Sequence, residues 1–415
     1  MRHAGKLAAL FFSAATLVRG AQDPSQLMQT PAVRAALEAA KANEPQTIQT
    51  QIHVCEIPAP SFMETKRGEE LARLFREAGL QNVRIDPAGN VLGDRPGKSA
   101  HPHLVVAAHL DTVFPEGTDV TVKHEGSVLK APGIGDDCRG LAVMLSVIHS
   151  LNQAKVETNG TVTFVADVGE EGLGDLRGMK ELFNKTMKGQ IDEFVSIEPG
   201  QPDRITNGGV GSYRYRITFK GPGGHSYGAF GNANPIHALG RAIAKISDFE
   251  VPANPKTTFN VGRIGGGTSV NSIAFEAWAE VDLRSEDSAS LETENAKFKQ
   301  AVNNALDEEN NRWHGKGKLT LSLEQVGYRP AGHTDASSSI VRSAFAVNKA
   351  LGLPEPTLDA NSSDSNVPMN LGIPAITIGG GGKDEGAHSP EESFDPQDSW
   401  VGTQRALLLT VTLTQ

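Results

Sequence analysis

The stretch of sequence that decides the fold is HLVVAAHLDT, residues 103–112. Its first six residues form a compact apolar run, which is typical of a strand that is buried on both faces. The run leads directly into His109, Leu110 and Asp111. Because residues i and i+2 of an extended segment lie on one face, the side chains of His109 and Asp111 point the same way. The stretch therefore predicts a central strand with an imidazole and a carboxylate at its carboxyl end.

Three further apolar runs predict buried strands on either side of this one. They alternate with segments in which apolar residues recur at helical spacing, at 64–78 and 140–151. Strands that alternate with helices predict an α/β fold with a mostly parallel sheet. The three strand segments are TVTFVA at 161–166, EFVSI at 193–197 and PAITI at 374–378.

The pattern changes after Gly211, where SYRYRITFK at 212–220 alternates strictly between polar and apolar residues. Such alternation is typical of a half-exposed strand. The order from here to residue 324 is strand, helix, strand, strand, helix, strand, which resembles a ferredoxin-like α+β module. We expect this module over 211–325, inserted between two parts of the α/β domain at 22–210 and 326–415.

Length and charge narrow the class of protein. A chain of 415 residues is long enough for two or three domains. Its formal net charge is −10 and it has no dense run of lysine and arginine, so we expect no nucleic-acid partner. Two cysteines, Cys55 and Cys138, exclude a disulfide scaffold and a cysteine-based zinc finger. Their number alone favours two free thiols over a single bridge.

The N-terminal residues 1–21 predict a signal peptide. Arg2, His3 and Lys6 precede the apolar run Leu7–Val18, and small residues follow it. The run is short for a membrane span, and no other stretch approaches roughly 18 uncharged apolar residues. We expect an exported protein, secreted or periplasmic, without a membrane span once the signal is removed. The alternative is a buried N-terminal helix.

Acidic and imidazole side chains follow the predicted strands. They are the pair Asp136-Asp137 in GIGDD, the pair Glu170-Glu171 in GEEG, Glu198 in SIEP and His388 in AHSP. One aspartate can cap a helix, but two adjacent ones exceed that need. Adjacent carboxylates repel each other, and a cation offsets the repulsion.

These side chains are expected at one place, because the carboxyl ends of parallel strands form the ligand-binding edge of an α/β sheet. Two histidines and three carboxylates form a nitrogen and oxygen ligand set that suits Zn²⁺ and also Co²⁺ or Mn²⁺. Five ligands indicate two ions with one bridging carboxylate. The sequence therefore predicts a centre that holds two metal ions.

The motif order HLDT, GIGDD, GEEG, SIEP and AHSP closely resembles the M20 family of co-catalytic zinc peptidases and amidohydrolases. This family includes glutamate carboxypeptidase, peptidase T, aminoacylase-type and acetylornithine deacetylase-type enzymes. The resemblance covers nearly the whole chain after the signal segment. It implies that 22–210 and 326–415 form a catalytic di-zinc domain, and that 211–325 is a lid and dimerisation domain, called the lid module below.

The resemblance also implies a function for each site residue. Asp111 would accept a hydrogen bond from the His109 imidazole, and Glu170 would stay off the metal as the general base that takes a proton from a zinc-activated water. The peptide between Asp136 and Asp137 would be cis. Two zinc ions per subunit would be held by His109 and Glu198 on one side, Glu171 and His388 on the other, and Asp136 as the bridge.

In the lid module the resemblance implies three more functional residues. His225 in GPGGHSYG would reach the active site of a neighbouring subunit and help to hold the oxyanion, which implies a homodimer. Asn271 and Arg284 would bind the carboxylate of the substrate or nearby oxygens. The chain departs from the family at Cys138-Arg139, where many relatives have Lys-Gly, and we expect Cys138 to pack rather than to bind metal.

The function expected from these motifs is hydrolysis of an amide bond in a small peptide or an N-acyl amino acid. A glutamate at the position of Glu198 favours carboxypeptidase or aminoacylase activity within the family. A tripeptide aminopeptidase of the peptidase T type stays open. So does a non-catalytic homologue that binds metal or peptide, although such a protein would be expected to lack the base or a ligand, and this sequence retains them all.

Overall fold

The computed structural model describes residues 23–314 and 316–415. The predicted signal peptide lies outside the described residues, so cleavage and export stay predictions. Within the described part of the chain, no helix combines the length and the apolar composition that crossing a membrane requires.

The strands of the described residues form four sheets. In chain order the strands are β1 (Gln81–Ile85), β2 (Val91–Arg95), β3 (His103–His109), β4 (Lys123–Glu125), β5 (Val128–Lys130), β6 (Thr161–Asp167), β7 (Glu193–Glu198), β8 (Arg204–Gly209), β9 (Gly211–Lys220), β10 (Gly224–His225), β11 (Thr257–Gly266), β12 (Ser272–Ile273), β13 (Glu276–Ser285), β14 (Thr320–Arg329), β15 (Gly332–His333), β16 (Thr357–Asn361), β17 (Ala375–Gly379), β18 (Lys383–Glu385) and β19 (Ser393–Asp395).

The helices begin where the local sequence supplies a start signal. Asp137 caps α5, Asn234 caps α7 and Ser338 caps α9, each with a side-chain oxygen that accepts a backbone N–H. The helices are α1 (Pro24–Leu27), α2 (Pro31–Ala42), α3 (Glu44–Cys55), α4 (Thr65–Glu77), α5 (Cys138–Gln153), α6 (Arg177–Glu181), α7 (Pro235–Ser247), α8 (Ser288–Arg312), α9 (Ser339–Ala350), α10 (Asn366–Asn370) and α11 (Trp400–Leu413).

The central sheet has the order β1-β2-β6-β3-β7-β17-β8-β15, with β16 added beside β8. Its four middle strands, β6, β3, β7 and β17, are parallel to one another, whereas β2 and β8 pair antiparallel with this group. Successive residues of β3 pack into different cores. Leu104 and Val106 lie in the larger core, and Val105 and Ala107 lie in the core that also contains Met179 of α6. The predicted α/β fold with a mostly parallel sheet is confirmed.

The lid module contains a separate antiparallel sheet of order β11-β13-β9-β14. With α7 and α8 it follows the strand, helix, strand, strand, helix, strand order expected from the sequence. A core of its own lies between this sheet and the two helices, and it includes Ile217, Phe219 and Phe298. Strand β14 runs on to Arg329, four residues past the boundary placed at 325.

A small sheet of order β18-β19-β5-β4 has no counterpart among the sequence predictions. Strand β5 precedes the loop that leads to Asp136, and β18 and β19 flank the segment that carries His388. The pairing of Phe394 with Leu129 joins these two loops, which are far apart in the chain. The sheet therefore fixes two of the predicted ligands relative to each other.

Candidate metal centre

The predicted ligands converge because four neighbouring parallel strands end at the same edge of the central sheet. His109 is the last residue of β3 and Glu198 is the last residue of β7. Glu170 and Glu171 follow β6 after a short turn at Val168-Gly169, and β17 leads toward the segment with His388. The order β6-β3-β7-β17 therefore brings together side chains from residues 109 to 388.

The carboxylate of Asp136 lies between two imidazoles. Its Oδ1 is 2.9 Å from Nε2 of His109, and its Oδ2 is 3.2 Å from Nε2 of His388. Nε2 of His388 is also 3.1 Å from Oε1 of Glu171. An arrangement with one imidazole on each carboxylate oxygen matches the bridging position expected for Asp136.

The residues fit a metal site by an observation independent of the motif. His109, Asp136 and Glu171 each offer one ligand atom, and these atoms all lie within 4.8 Å of one another. The Oε1 atom of Glu198 is buried and has no hydrogen-bond partner among the described residues. Such an orphaned carboxylate oxygen is costly in the interior unless a cation or a donor satisfies it.

The electrostatics also favour a cation. Contacts with Asp136 and Glu171 raise the pKa of His388 to about 10. Burial raises the pKa of Glu198 well above its usual range, and the charges of Glu170 and Asp136 add to this effect. The cluster holds more negative charge than its imidazoles neutralise, and bound divalent ions would offset it.

Asp111 contacts the His109 imidazole through its backbone. The Nδ1–H of His109 donates to the backbone carbonyl of Asp111 at 2.9 Å, whereas the carboxylate of Asp111 is 3.7 Å away. The carboxylate instead accepts the backbone N–H groups of Glu170 and Glu171, both at 3.0 Å, and the Ser61 hydroxyl at 2.6 Å. Asp111 therefore accepts the hydrogen bond from the His109 imidazole, as the resemblance implied, but through its backbone carbonyl and not through its carboxylate. The carbonyl still leaves Nε2 of His109 as the nitrogen that would bind a metal ion, and the carboxylate orients the backbone of the two glutamates.

The two aspartates of the GIGDD motif have different functions. The peptide between Asp136 and Asp137 is cis, as the resemblance implied. The Asp137 carboxylate accepts the backbone N–H groups of Gly140 at 3.0 Å and His109 at 3.1 Å. Asp137 is thus the helix cap of α5, and Asp136 is the one that faces the imidazoles.

Glu392 supports this loop and was not singled out from the sequence. Its carboxylate accepts the backbone N–H groups of Gly133, Gly135 and Asp136, each at 2.9 Å. Its side chain is only 1% exposed, and burial raises its pKa to about 7. It lies just before β19, so the small sheet positions it. The only sequence signal was an acidic residue shortly after His388.

Arg329 is a second residue that sequence reasoning missed. Its Nη1 donates to Oε1 of Glu170 at 2.9 Å and to the Ser362 hydroxyl at 3.0 Å. A lone arginine at the end of a strand is usually solvated, so its position in the sequence carried no signal. The structure places it at the end of β14, beside the predicted general base.

Two buried aspartates lie behind the cluster. Neither carboxylate oxygen of Asp167 or Asp364 has a donor among the described residues, and both side chains are fully buried. Burial raises the pKa of Asp167 to about 8, and burial together with Asp167 raises that of Asp364. Two carboxyl groups in contact without donors favour a shared proton.

The departure from the family at Cys138-Arg139 has a structural explanation. Arg139 is fully buried, and its guanidinium donates to the Glu44 carboxylate at 2.8 Å, to the Ser399 carbonyl at 2.6 Å and to the Gly380 carbonyl at 3.0 Å. It therefore ties α5 to α3 and to the glycine-rich segment after β17. Cys138 is buried in a small apolar cluster, as expected of a packing residue.

Among the described residues, no hydrogen bond joins His225, Asn271 or Arg284 to the side chains of the metal cluster. His225 is exposed in β10, where its Nδ1 accepts the N–H groups of Tyr227 at 3.2 Å and Gly228 at 3.3 Å. Asn271 is also exposed and lies beside it, since its carbonyl accepts the N–H of Ser226. Arg284 pairs with Asp282 at 2.7 Å on the lid sheet.

Fold and site together define a metal-dependent hydrolase with an α/β catalytic sheet. A family model described as Peptidase family M20/M25/M40 matches residues 105–410. The chain belongs to this family and is accordingly a metallopeptidase or amidohydrolase.

Relatives and solved structures agree with this assignment. The chain is 25% identical over 371 residues to a probable carboxypeptidase of Ajellomyces dermatitidis, covering 80% of each protein. A tripeptidase from Staphylococcus aureus has the same fold, with a TM-score of 0.74 and 23% identity over 90% of this chain and 99% of that one. A dinuclear metal-binding M20 peptidase from Bacillus subtilis, YXEP, has a TM-score of 0.67 and 18% identity with the same coverage.

Proposed function

We propose that this protein is an exported di-zinc hydrolase that cleaves an amide bond in a small peptide or an N-acyl amino acid. The observation that carries the proposal is the Asp136 carboxylate between the Nε2 atoms of His109 and His388. An arrangement of this kind suits one carboxylate that bridges two ions, each with its own histidine. The dinuclear metal site of the Bacillus subtilis structural relative supports the same reading.

The residues that would hold the ions are distinct from the residue that would move protons. His109 and Glu198 would bind one ion, Glu171 and His388 the other, and Asp136 both. Zn²⁺ bound there supplies Lewis acidity toward a carbonyl oxygen and toward water; Co²⁺ or Mn²⁺ could take its place.

Glu170 is the group that moves the proton in this proposal. Its Oε1 is held by Arg329, so Oε2 takes the proton of the attacking water and later delivers it to the leaving amine nitrogen. The backbone N–H of Glu170 is fixed by Asp111 at 3.0 Å. This anchoring holds the Glu170 backbone in place, and the adjacent Glu171 would bind the metal ion.

The lid module completes the site in this proposal through a homodimer. His225 and Asn271 are exposed side by side, and Tyr227 and Phe230 near them are 89% and 71% exposed. A second subunit that covers this surface could direct His225 to the oxyanion formed in the first subunit. Arg284 and Asn271 would then bind the carboxylate of the substrate or nearby oxygens.

Replacement of the base tests the catalytic part of the proposal. Glu170→Gln should lower kcat by roughly 10²–10⁴-fold while the metal content stays unchanged. Glu193→Gln, which alters another largely buried carboxyl at the opposite end of β7, is the matched control and should keep its activity. Hydrolysis by Glu170→Gln at the wild-type rate contradicts the assignment.

Metal removal and a substrate panel test the remaining parts. Excess chelator should abolish activity, and added Zn²⁺ should restore it. A protein that holds no transition metal and works in excess chelator is not the proposed enzyme. A panel of N-acyl amino acids, dipeptides and tripeptides separates carboxypeptidase or aminoacylase activity from tripeptide aminopeptidase activity.

Export is tested separately, by sequencing the N terminus of the protein recovered outside the cytoplasm.

A further inference from the structure

The two cysteines of the chain lie in one buried apolar cluster beside the loop that carries Asp136. Cys55 is the last residue of α3 and Cys138 is the first residue of α5. Both are 0% exposed, and they share a small apolar cluster with Leu129, Ile134 and Phe394. The proposed reaction uses neither thiol.

The helices that carry the two cysteines, α3 and α5, pack against each other, and both thiols are free in the structure. The Cys55 thiol also lies 3.7 Å from the carbonyl oxygen of Pro132. The sequence contains no other cysteine, so no second intramolecular pairing competes with this one.

We propose that Cys55 and Cys138 form a disulfide when the chain folds in an oxidising compartment. The bond would join the end of α3 to the start of α5. Because Asp136 and Asp137 immediately precede Cys138, it would also fix the turn that presents the bridging carboxylate. This inference does not depend on the proposed hydrolase activity. Its occurrence in the natural protein requires the proposed export, since disulfides persist mainly in oxidising compartments.

The reaction is a thiol–disulfide exchange with a disulfide of the compartment, carried by a protein or a small molecule. The thiolate of one cysteine attacks that disulfide, forms a mixed disulfide and releases one thiolate of the oxidant. The thiolate of the second cysteine then attacks the sulfur of the first and releases the other thiolate. Two electrons pass to the oxidant, and the two protons of the cysteine thiols end on the released thiolates. Because both thiols are buried in the fold, the exchange takes place before α3 packs on α5.

The bond would add to contacts that already hold these two helices near the site. The hydroxyl of Thr47 in α3 donates to that of Ser146 in α5 at 2.9 Å, and Gln51 in α3 donates to the carbonyl of Ile134 at 2.7 Å. The cross-link closes a long loop, between positions 55 and 138, and long loops lose much entropy in the unfolded chain when they are closed. The reduced protein should therefore fold, and the oxidised protein should unfold at a higher temperature.

The test compares one protein made in two compartments. The full chain is placed behind an export signal of known efficiency and recovered from an oxidising compartment, and a second sample is made in a reducing one. After denaturation, the exported sample should show no free thiol before reduction and two after it, whereas the second sample should show two throughout. Digestion without reductant should give one linked pair of peptides that contain Cys55 and Cys138.

Cysteine variants supply the controls. Cys55→Ala and Cys138→Ala should each show one free thiol in either compartment. The midpoint temperature of unfolding should be higher for the exported wild-type chain than for the reduced one, and the double variant should show no such difference. Two free thiols in the denatured exported sample, or a link only between separate chains, overturn the proposal. An internal disulfide that leaves the midpoint unchanged contradicts the stabilising effect assigned to it. Neither result bears on Glu170→Gln, so failure here is distinguishable from failure of the proposed function.

Discussion

Arg329, at the end of strand β14, forms an ion pair with Glu170 beside the central sheet, with 2.9 Å between Nη1 and Oε1. Both side chains are almost fully buried, at 5% and 9% exposure. Arg329 is the last residue of β14, and Glu170 follows β6. Burial raises the pKa of Glu170, and the positive charge of Arg329 opposes that effect. The proposed base therefore depends for its charge and its orientation on Arg329, at the end of a strand that belongs to the sheet β11-β13-β9-β14.

Removing this arginine should weaken the base. In Arg329→Met the opposing charge is lost, so the pKa of Glu170 rises further and less of the deprotonated base is present. We expect kcat/KM at neutral pH to fall roughly tenfold or more, and the acidic limb of the pH–rate profile to move to higher pH. A pH–rate profile of both proteins at saturating metal measures this.

The control for this variant is Arg95→Met. Arg95 is also largely buried, but it lies on β2 and donates to Asn152 at 3.0 Å, away from the cluster. The acidic limb of the pH–rate profile of Arg95→Met should coincide with that of the wild type. If Arg329→Met lowers activity without moving the limb, the arginine does not set the pKa of the base.

The sequence predicted those parts of the fold in which the residues of one segment alone show that the segment is buried. HLVVAA, TVTFVA and PAITI indicated buried strands because both faces of each strand are covered, and the structure places them in β3, β6 and β17. The order β6-β3-β7-β17 was not readable, because neighbours in a sheet are set by packing between distant segments. The small sheet was missed for the same reason, since β4, β5, β18 and β19 have only three residues each.

The sequence predicted those site residues that form a recognisable motif of acidic residues or histidines close to the end of a strand. His109, Asp136, Glu171 and His388 are drawn together as expected. The residues that support them carried no such signal. Glu392 and Arg329 act through backbone and side-chain contacts with residues more than 150 positions away, and spacing along the chain cannot show such contacts. Asp167 could have been found, because it closes a strand whose preceding residues are apolar.

Glu392 should be needed to position Asp136. Both carboxylate oxygens of Glu392 accept backbone N–H groups. In Glu392→Gln an NH₂ group replaces one of these oxygens, so a donor would face a donor and at least one backbone N–H would lose its acceptor. We expect metal affinity to fall by roughly 10- to 100-fold while the fold is retained. Competition with a chelator of known affinity measures this, with the exposed neighbour Glu391→Gln as the control. Equal affinities of wild type and Glu392→Gln would show that the loop holds its shape without the carboxylate.

The Asp167–Asp364 pair should make stability fall as pH rises. Each carboxyl has a raised pKa in the folded chain, so the folded state retains protons that the unfolded state releases above about pH 4. The stabilisation from this retention is fully present below that pH and is lost as pH rises through about 8, the pKa of Asp167. Asp364→Asn replaces one carboxyl with a neutral amide that can donate to Asp167. Its stability relative to the wild type should therefore increase between pH 6 and pH 9.

Urea unfolding at several pH values measures this difference, which we expect to reach about 2 kcal/mol. Chelator is present throughout, so that metal binding does not contribute. Asp359→Asn is the control, because Asp359 lies on β16 in an ion pair with Arg204, outside the buried pair. A difference between Asp364→Asn and wild type that does not vary with pH would mean that the two carboxyls do not retain a proton.

His388 should be needed for the second ion only. Its side chain is 56% exposed, so His388→Ala leaves no buried cavity and the fold should persist. Metal analysis should then find one bound ion per chain instead of two, with activity reduced by roughly 10²-fold or more. His101 is the control: its side chain is 62% exposed, and it lies just before the start of β3, at the opposite end of this strand from His109. His101→Ala should leave both ions bound. Two ions in His388→Ala would remove His388 from the ligand set.

A mixing experiment tests whether His225 acts across a subunit interface. His225→Ala and Glu170→Gln should each be nearly inactive alone, because each homodimer lacks one required group at both sites. In a mixed dimer, the site with an intact Glu170 receives an intact His225 from the partner subunit. Random exchange of subunits makes about half of the dimers mixed, each with one working site, so activity should recover to roughly a quarter of the wild-type value. If His225 acted within its own subunit, no mixed dimer would contain a complete site and mixing would restore nothing.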